Sequence, residues 1–253
     1  MRLANKLLIF ILLLCTTGEC GELVLFLACD TEAKNIETSV YKDLSNMRDE
    51  ALRISHYTGL PIKEISLIGH ELTPPAVLNA LKFLDVEHDD VVLFYFSGHG
   101  FRTPSKEDDP WPNLFFSQTW EGIDYGKVID ILSDKYPRLL ITVADCCNNI
   151  MEEHVAPPIF IGKVDRTRKE IKEQAYRELF METEGRVLVA SSQIGEFSWS
   201  VSKGALFTSA FLESLKKESE KGCSNWKTIL DRSSRKVKFY QNPYYQVEIK
   251  PAM

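Results

Sequence analysis

The stretch DVVLFYFSGHG, residues 90–100, runs six apolar residues straight into the small polar tetrapeptide Ser97-Gly98-His99-Gly100. A run that is β-branched, aliphatic or aromatic at every position has no face to offer water, so it reads as a strand buried on both sides. The same reading extends outward. Leu23–Ala28, Ile65–Ile68, Leu139–Val143 and Val187–Ala190 repeat the apolar run. Helical patterns lie between them. One covers Thr38–His56, with Val40, Leu44, Met47, Leu52 and Ile54 at roughly helical spacing, and Gly59-Leu60-Pro61 stops it. A second is opened by Thr73-Pro74-Pro75 and carries Val77, Leu78, Leu81 and Leu84, and a third covers Tyr125–Leu132. The tail KVKFYQNPYYQV, residues 236–247, alternates from Tyr244 as a closing strand would, with Tyr240, Tyr244 and Tyr245 as packing residues. The fold class is therefore α/β, a mostly parallel central sheet with helices on both faces. In such sheets ligands collect beyond the carboxyl ends of the strands, where His99 stands.

With 44% hydrophobic and 26% charged residues in 253 positions, the chain has the apolar material for one domain and no long disordered tract. Residues 1–20 stand apart: Arg2 and Lys6 precede the apolar run Leu7–Leu14, and Thr16, Thr17 and Gly18 follow. That order is a secretory signal peptide's, and the run is well short of the roughly 20 apolar residues of a membrane span. Cleavage is expected between Gly18 and Gly21, giving a secreted or periplasmic protein with no membrane span after cleavage. Glu19 before Cys20 speaks against lipidation. Without residues 1–20 the chain keeps 28 basic and 35 acidic residues, a balance that gives no footprint for nucleic acid. Cys29, Cys146, Cys147 and Cys223 remain beyond the leader. Adjacent Cys146 and Cys147 do not readily pair, so this is no disulfide framework and a thiol is free for use.

A second strand end matters. In LLITVADCCNN, residues 139–149, the next central strand finishes on Asp145-Cys146-Cys147. Two neighbouring parallel strands ending at the same sheet edge would bring a histidine and a cysteine within reach. A thiolate is the nucleophile, and a nearby imidazole can take its proton and later protonate a leaving amine. Glycines around His99 permit close backbone approach, so the N–H groups of Gly100 and Cys147 could face an oxyanion. Taken singly, such a histidine is usually a satisfied polar residue and such a cysteine a small buried hydrophobe. On consecutive apolar strands the pair carries more weight. Zinc is disfavoured, because residues 146 and 147 lack the two-residue spacer that lets both thiols bind one ion. Which of the two cysteines faces the histidine is left open by periodicity.

The segments FYFSGHG (94–100), ADCC (144–147) and VLVASSQIGEFSWSVSKGALFTSAFLESL (187–215), in this order, resemble the caspase-fold cysteine peptidases. They are closer to the metacaspase and bacterial caspase-like branch than to the animal caspases. The similarity extends over about residues 22–216. It implies the caspase–haemoglobinase three-layer sandwich and an acyl-enzyme endopeptidase, with His99 as acid/base and Cys147 as nucleophile. It implies further that Asp145 sits in the pocket for the side chain before the scissile bond, where a carboxylate favours Arg or Lys; a structural role, capping the turn through its own backbone, is the competing reading. Cys29 and Asp30 would line the same sheet edge, a buried structural thiol being the competing reading for Cys29. Ser198-Trp199 matches a pair that animal caspases follow with an arginine that reads Asp; here Ser200 follows, which argues against Asp specificity.

The resemblance divides the chain into a larger part, about 21–160, a charged linker, about 161–186, and a smaller part, about 187–253. Lys163, Arg166, Arg168 and Lys169 would suit self-processing by a basic-directed enzyme, and a solvated helix over Lys169–Phe180 is the competing reading. Where relatives continue with His-Ser-Gly, this chain has Asn148-Asn149-Ile150, and asparagine tolerates left-handed backbone. Some relatives depend on calcium, and Glu107, Asp108 and Asp109 are the candidates for it, without defined loop spacing. No other cofactor is implied, and the expected partner is a peptide or protein substrate. Two further readings keep the same site: an Asn-directed, legumain-like peptidase or transpeptidase, and a catalytically inactive binding module, which the altered turn after Cys147 favours.

Overall fold

Alternation along each buried strand decides which layer a side chain joins. The computed structural model describes residues 21–150, 172–221 and 224–250. Its elements begin with β1 (Leu23–Cys29), α1 (Glu37–Thr58), β2 (Ile62–Ile68), α2 (Pro74–Lys82) and β3 (Val91–Ser97). There follow β4 (Gly100–Phe101), β5 (Asn113–Phe116), β6 (Glu121–Asp124), α3 (Tyr125–Ser133) and β7 (Leu139–Asp145). The chain continues through α4 (Glu173–Phe180), β8 (Gly185–Ala190), β9 (Ser200–Val201), β10 (Gly204–Ala205), α5 (Leu206–Ser219), α6 (Trp226–Val237) and β11 (Tyr244–Ile249).

The main sheet runs in the order β11-β8-β7-β3-β1-β2. Its neighbours pair in parallel except β11, which closes the edge antiparallel to β8. Leu23, Leu25, Leu27, Val91, Leu93, Tyr95, Leu139, Ile141 and Val143 face one core with α1, α4, α5 and α6. Val24, Phe26, Ala28, Val92, Phe94, Phe96, Leu140 and Ala144 face the other, with α2, α3 and the inner side of β5 and β6. A helix-covered sheet needs apolar residues on both parities, which is why these strands read as unbroken apolar runs. Truncating one such Leu or Phe to Ala would cost about 2–5 kcal/mol.

Several expectations are refined. In α1 the buried apolar positions are Val40, Leu44, Met47, Ala51 and Ile54, whereas Leu52 is 61% exposed because it lies about 100° off that stripe. α2 opens as expected, its N-cap Thr73 accepting from the Ala76 N–H at 3.3 Å. The helix expected to be solvated over Lys169–Phe180 appears as α4, and it is not solvated on one side. Ala175, Tyr176, Leu179 and Phe180 are buried, and the Tyr176 hydroxyl donates to Glu50 Oε1 at 2.6 Å. Apolar residues three and four apart outweigh the charges between them. Lys163, Arg166, Arg168, Lys169, Cys223 and the leader, residues 1–20, lie outside the described residues. A small antiparallel sheet, β4-β5-β6, the β9–β10 hairpin and α6 were not foreseen. No helix among the described residues is long and apolar enough to cross a membrane.

What the fold does for the site is set by register. Cys29 pairs with Ser97, and Ser97 pairs with Asp145. Three central strands therefore end level with one another, and the chain leaves each at the same edge.

Candidate active site

His99 and Cys147 each lie two residues beyond a matched pair, Ser97 and Asp145, on adjacent parallel strands. Neighbouring strands are about 4.8 Å apart, so the two segments leave the sheet side by side. Their backbones touch just beyond it. A Cβ built on Gly100 would lie 2.4 Å from the Cys147 carbonyl oxygen and 2.6 Å from Cys146 Sγ, so only glycine lets the segments approach this closely.

The two cysteines separate cleanly. Cys146 is 1% exposed and packs in the α2/α3 core, where burial drives its thiol well above the ordinary range. Cys147 is half-buried, and its Sγ receives the Ser198 N–H at 3.4 Å and lies 3.7 Å from the Ser198 carbonyl oxygen. Burial pushes the Cys147 thiol up, the Ser198 N–H draws it down, and the negative charge of Asp145 pushes it up again. The net direction is upward, so the group rests as a thiol and needs a base before it can attack.

His99 Nε2 lies 3.1 Å from the main-chain oxygen of Lys34, in the loop after β1. A carbonyl only accepts, so Nε2 carries the proton and Nδ1 is the basic nitrogen of the neutral ring. The histidine's own carbonyl receives the Phe115 N–H at 3.1 Å, which ties it to β5. That bond makes His99 and Phe115 a hydrogen-bonded pair, and the alternation of an antiparallel ladder leaves the Gly100 N–H outside it. The Cys147 N–H likewise has no acceptor among the described residues. Both donors are free to meet an oxyanion.

Asp145 is 3% exposed and heavily engaged. Its Oδ2 accepts from the Thr208 N–H at 2.9 Å and the Thr208 hydroxyl at 2.6 Å, and its Oδ1 from the Ser198 hydroxyl at 2.7 Å. Tyr95 shares its hydroxyl contact with Thr208 at 2.7 Å. A second carboxylate, Asp43 on α1, accepts from the Ala205 N–H at 3.0 Å and from the Ser97 hydroxyl at 3.0 Å. α5 has no side-chain cap of its own, since Ala205 precedes it. The two carboxylates therefore satisfy amides at its head, where the helix dipole favours negative charge. Burial still dominates: it raises the Asp145 carboxyl, and, with the charge of Asp145 as second cause, it pushes Asp43 up to about 8.

The segment after Cys147 is held by Asn148, which is fully buried. Its N–H donates to Glu196 O at 2.9 Å, its amide to Pro110 O at 2.8 Å and Ser192 O at 3.4 Å, and its Oδ1 accepts from Arg102 at 3.3 Å. Arg102 is itself buried, and its main-chain N–H donates to Asn149 O at 2.8 Å. Neither asparagine has a positive φ, so their tolerance of left-handed backbone is not called on, and the side chain of Asn148 fixes the turn.

Of the other expected residues, Ser198 lies against both Cys147 and Asp145, and Trp199 follows it in the chain. Trp199 is anchored by its indole N–H to Tyr240 O at 2.9 Å and by its main-chain N–H to Gln241 at 3.0 Å. Asp30 lies at the same sheet edge, its Oδ2 accepting from the Ser117 N–H at 3.1 Å. Cys29 does not line a cleft: it is wholly buried, and burial first, then the charge of Asp43, pushes its thiol up. Glu107, Asp108 and Asp109 do not gather for calcium. Asp109 pairs with Lys106 at 2.6 Å, and no group of three or more His, Cys, Asp or Glu side chains is placed to hold a metal ion among the described residues. Sequence reasoning missed Asp43, Lys34 and Asn148 as parts of the site. Asp43 gave one signal, an acidic residue within the apolar stripe of α1.

Residues 63–251 match the family model described as a caspase domain, a span that includes His99 and Cys147 but leaves β1 and α1 outside. The crystal structure of caspase-1 from Spodoptera frugiperda has the same fold, with a TM-score of 0.56 at 16% identity, covering 90% of this chain and 88% of that one. No curated protein sequence matches the chain.

Proposed function

Because the chain belongs to the caspase-domain family of cysteine peptidases, we propose that it is an endopeptidase working through a Cys147/His99 dyad, of the metacaspase type, cleaving after Arg or Lys. The observation that carries this reading is the matched departure of His99 and Cys147 from adjoining strands, with Lys34 O leaving Nδ1 as the base. As the thiol attacks the scissile carbonyl carbon, His99 Nδ1 takes its proton and a carbon–sulfur bond forms. The carbonyl oxygen gains the electron pair and meets the N–H groups of Gly100 and Cys147. Collapse breaks the carbon–nitrogen bond, His99 returns the proton to the leaving amine, and water then hydrolyses the thioester with His99 again as base.

The basic preference is supported by the paired carboxylates of Asp43 and Asp145 on the same side of the sheet as Cys147. Both are buried, and Asp43 is pushed up to about 8 by burial first and the charge of Asp145 second. A guanidinium or ammonium brought against them would turn repulsion into charge-assisted hydrogen bonding. The competing reading, that both only cap α5, is favoured by the full engagement of Asp145 by Thr208 and Ser198.

Fluorogenic peptides with Arg, Lys, Asn or Asp before the scissile bond test both parts, with Cys147→Ala and Cys146→Ala as variants. Hydrolysis after Arg and Lys that vanishes only in Cys147→Ala is the expected result. Cleavage after Asn or Asp would keep the dyad and overturn the role of the carboxylates. No hydrolysis, together with no labelling of Cys147 by a thiol-reactive peptide, would leave a binding module.

A further inference from the structure

We propose that the outer face of the β4-β5-β6 sheet docks the part of the substrate that leaves as the amine, selecting a large aromatic or aliphatic side chain there; this rests on the peptidase reading above. The register decides it. Gly100 pairs with Leu114 and Phe101 with Asn113, and the Phe115 N–H reaches His99 O at 3.1 Å, so His99 stands opposite Phe115. Phe115 in turn pairs with Gly122. Residues directly opposite in an antiparallel sheet project from one face. The imidazole, Phe115 and, two residues along, Phe101 therefore share the outer face, while Leu114, Phe116 and Ile123 fill the core beneath.

On that face the rings are continuous. Phe101 and Phe115 lie with centroids 6.1 Å apart, edge to face at 85°, and Phe115 and Trp120 at 5.9 Å and 85°. Gly122 makes room: a Cβ there would come within 2.6 Å of the Phe101 ring. Trp120 is 77% exposed and held at φ 58°, a backbone setting that bulky residues seldom adopt. An aromatic ladder ending in a strained, exposed indole is unfavourable for a bare surface and suited to stacking with a partner.

The occupant follows from the chemistry. The acyl half of the substrate becomes fixed to Cys147, whereas the leaving nitrogen must lie against His99 to receive its proton. The chain on the amine side therefore passes the imidazole, and the surface continuous with the imidazole is this ladder.

The test uses internally quenched peptides with Arg before the scissile bond and Gly, Glu or Phe at the first and second positions after it. The wild type should favour Phe over Gly at one of these positions by roughly three- to tenfold in kcat/KM, the range of an edge-to-face aromatic contact. Trp120→Ala and Phe115→Ala should each bring that ratio towards one, and Phe83→Ala, at an exposed aromatic on the far end of α2, should keep it. The ratio is taken within one protein, so a partly unfolded variant does not distort it. A wild-type ratio of one at both positions, or a ratio that survives both substitutions, overturns the inference while the peptidase reading stands. Failure to cleave any peptide, with Cys147 unlabelled, overturns that reading and removes the occupant with it.

Discussion

Replacing Asp43 with asparagine should stabilise the protein increasingly as the pH rises. An aspartate in an unfolded chain titrates near 3.9, and in the folded protein Asp43 is pushed up to about 8, by burial first and the charge of Asp145 second. Between those values the folded state holds a proton that the unfolded chain has released, so raising the pH favours unfolding. The contribution of the group is fully present below pH 4, declines as the pH climbs, and is gone above pH 8. The slope is about 1.4 kcal/mol per pH unit. From pH 5 to pH 7 that amounts to about 3 kcal/mol, or about 6–12 °C in Tm at the 2–4 °C per kcal/mol of a domain this size. Asparagine keeps an oxygen for the Ala205 N–H, and its amide can donate to Ser97 once that hydroxyl turns. Urea unfolding would be followed at pH 5, 6, 7 and 8 on both proteins, each carrying Cys147→Ala to prevent self-digestion. Taking the difference between them cancels the response of Glu50, whose carboxyl is also raised by burial. The gap should widen by about 1.4 kcal/mol per unit. Parallel profiles over this range would refute the account of Asp43 as a buried acid that is protonated at neutral pH.

Two other substitutions probe the backbone around the thiol. Gly100→Ala places a Cβ 2.4 Å from the Cys147 carbonyl oxygen, so kcat/KM should fall at least about 100-fold while the circular dichroism spectrum stays native. Asn148→Ala deletes three side-chain hydrogen bonds in a buried site, leaving Arg102 and Pro110 short of partners; a loss of about 2–4 kcal/mol in urea unfolding is expected, with kcat reduced more than KM rises.

The layered architecture was legible because every central strand is covered twice. Leu23–Cys29 and Val91–Phe96 had to be apolar at each position, and their shortness, with β-branched and aromatic residues in Val91–Phe96, sets them apart from a buried helix. The strand ends carried His99 and Cys147 with them. The choice between Cys146 and Cys147 was not legible, since a period of two gives a parity but no origin; the packing of Cys146 among the α2/α3 residues supplies it. Lys34 could not have been found, because a main-chain oxygen does the work and any residue type provides one. Asp43 stood out as an acid within the apolar stripe of α1, but its partner was not legible, since only the fold brings it to Ala205, 162 residues later. β4, β5 and β6 are two to four residues long, too short for periodicity to register.

The pairing of β7 with β8 bears on what the intervening chain is for. Leu139 to Ala144 lie in register with Gly185 to Ala190, and the Tyr125 hydroxyl donates to Val189 O at 3.0 Å, although residues 146–184 separate the two strands in sequence. Both fragments supply the same core, with Tyr176 and Phe180 joining Met47 and Ile54. Recognition between the two segments thus resides in the sheet and the core beneath it. A cut in the intervening chain would leave two segments sharing one sheet, four strands from the first and two from the second, across an interface that is already formed.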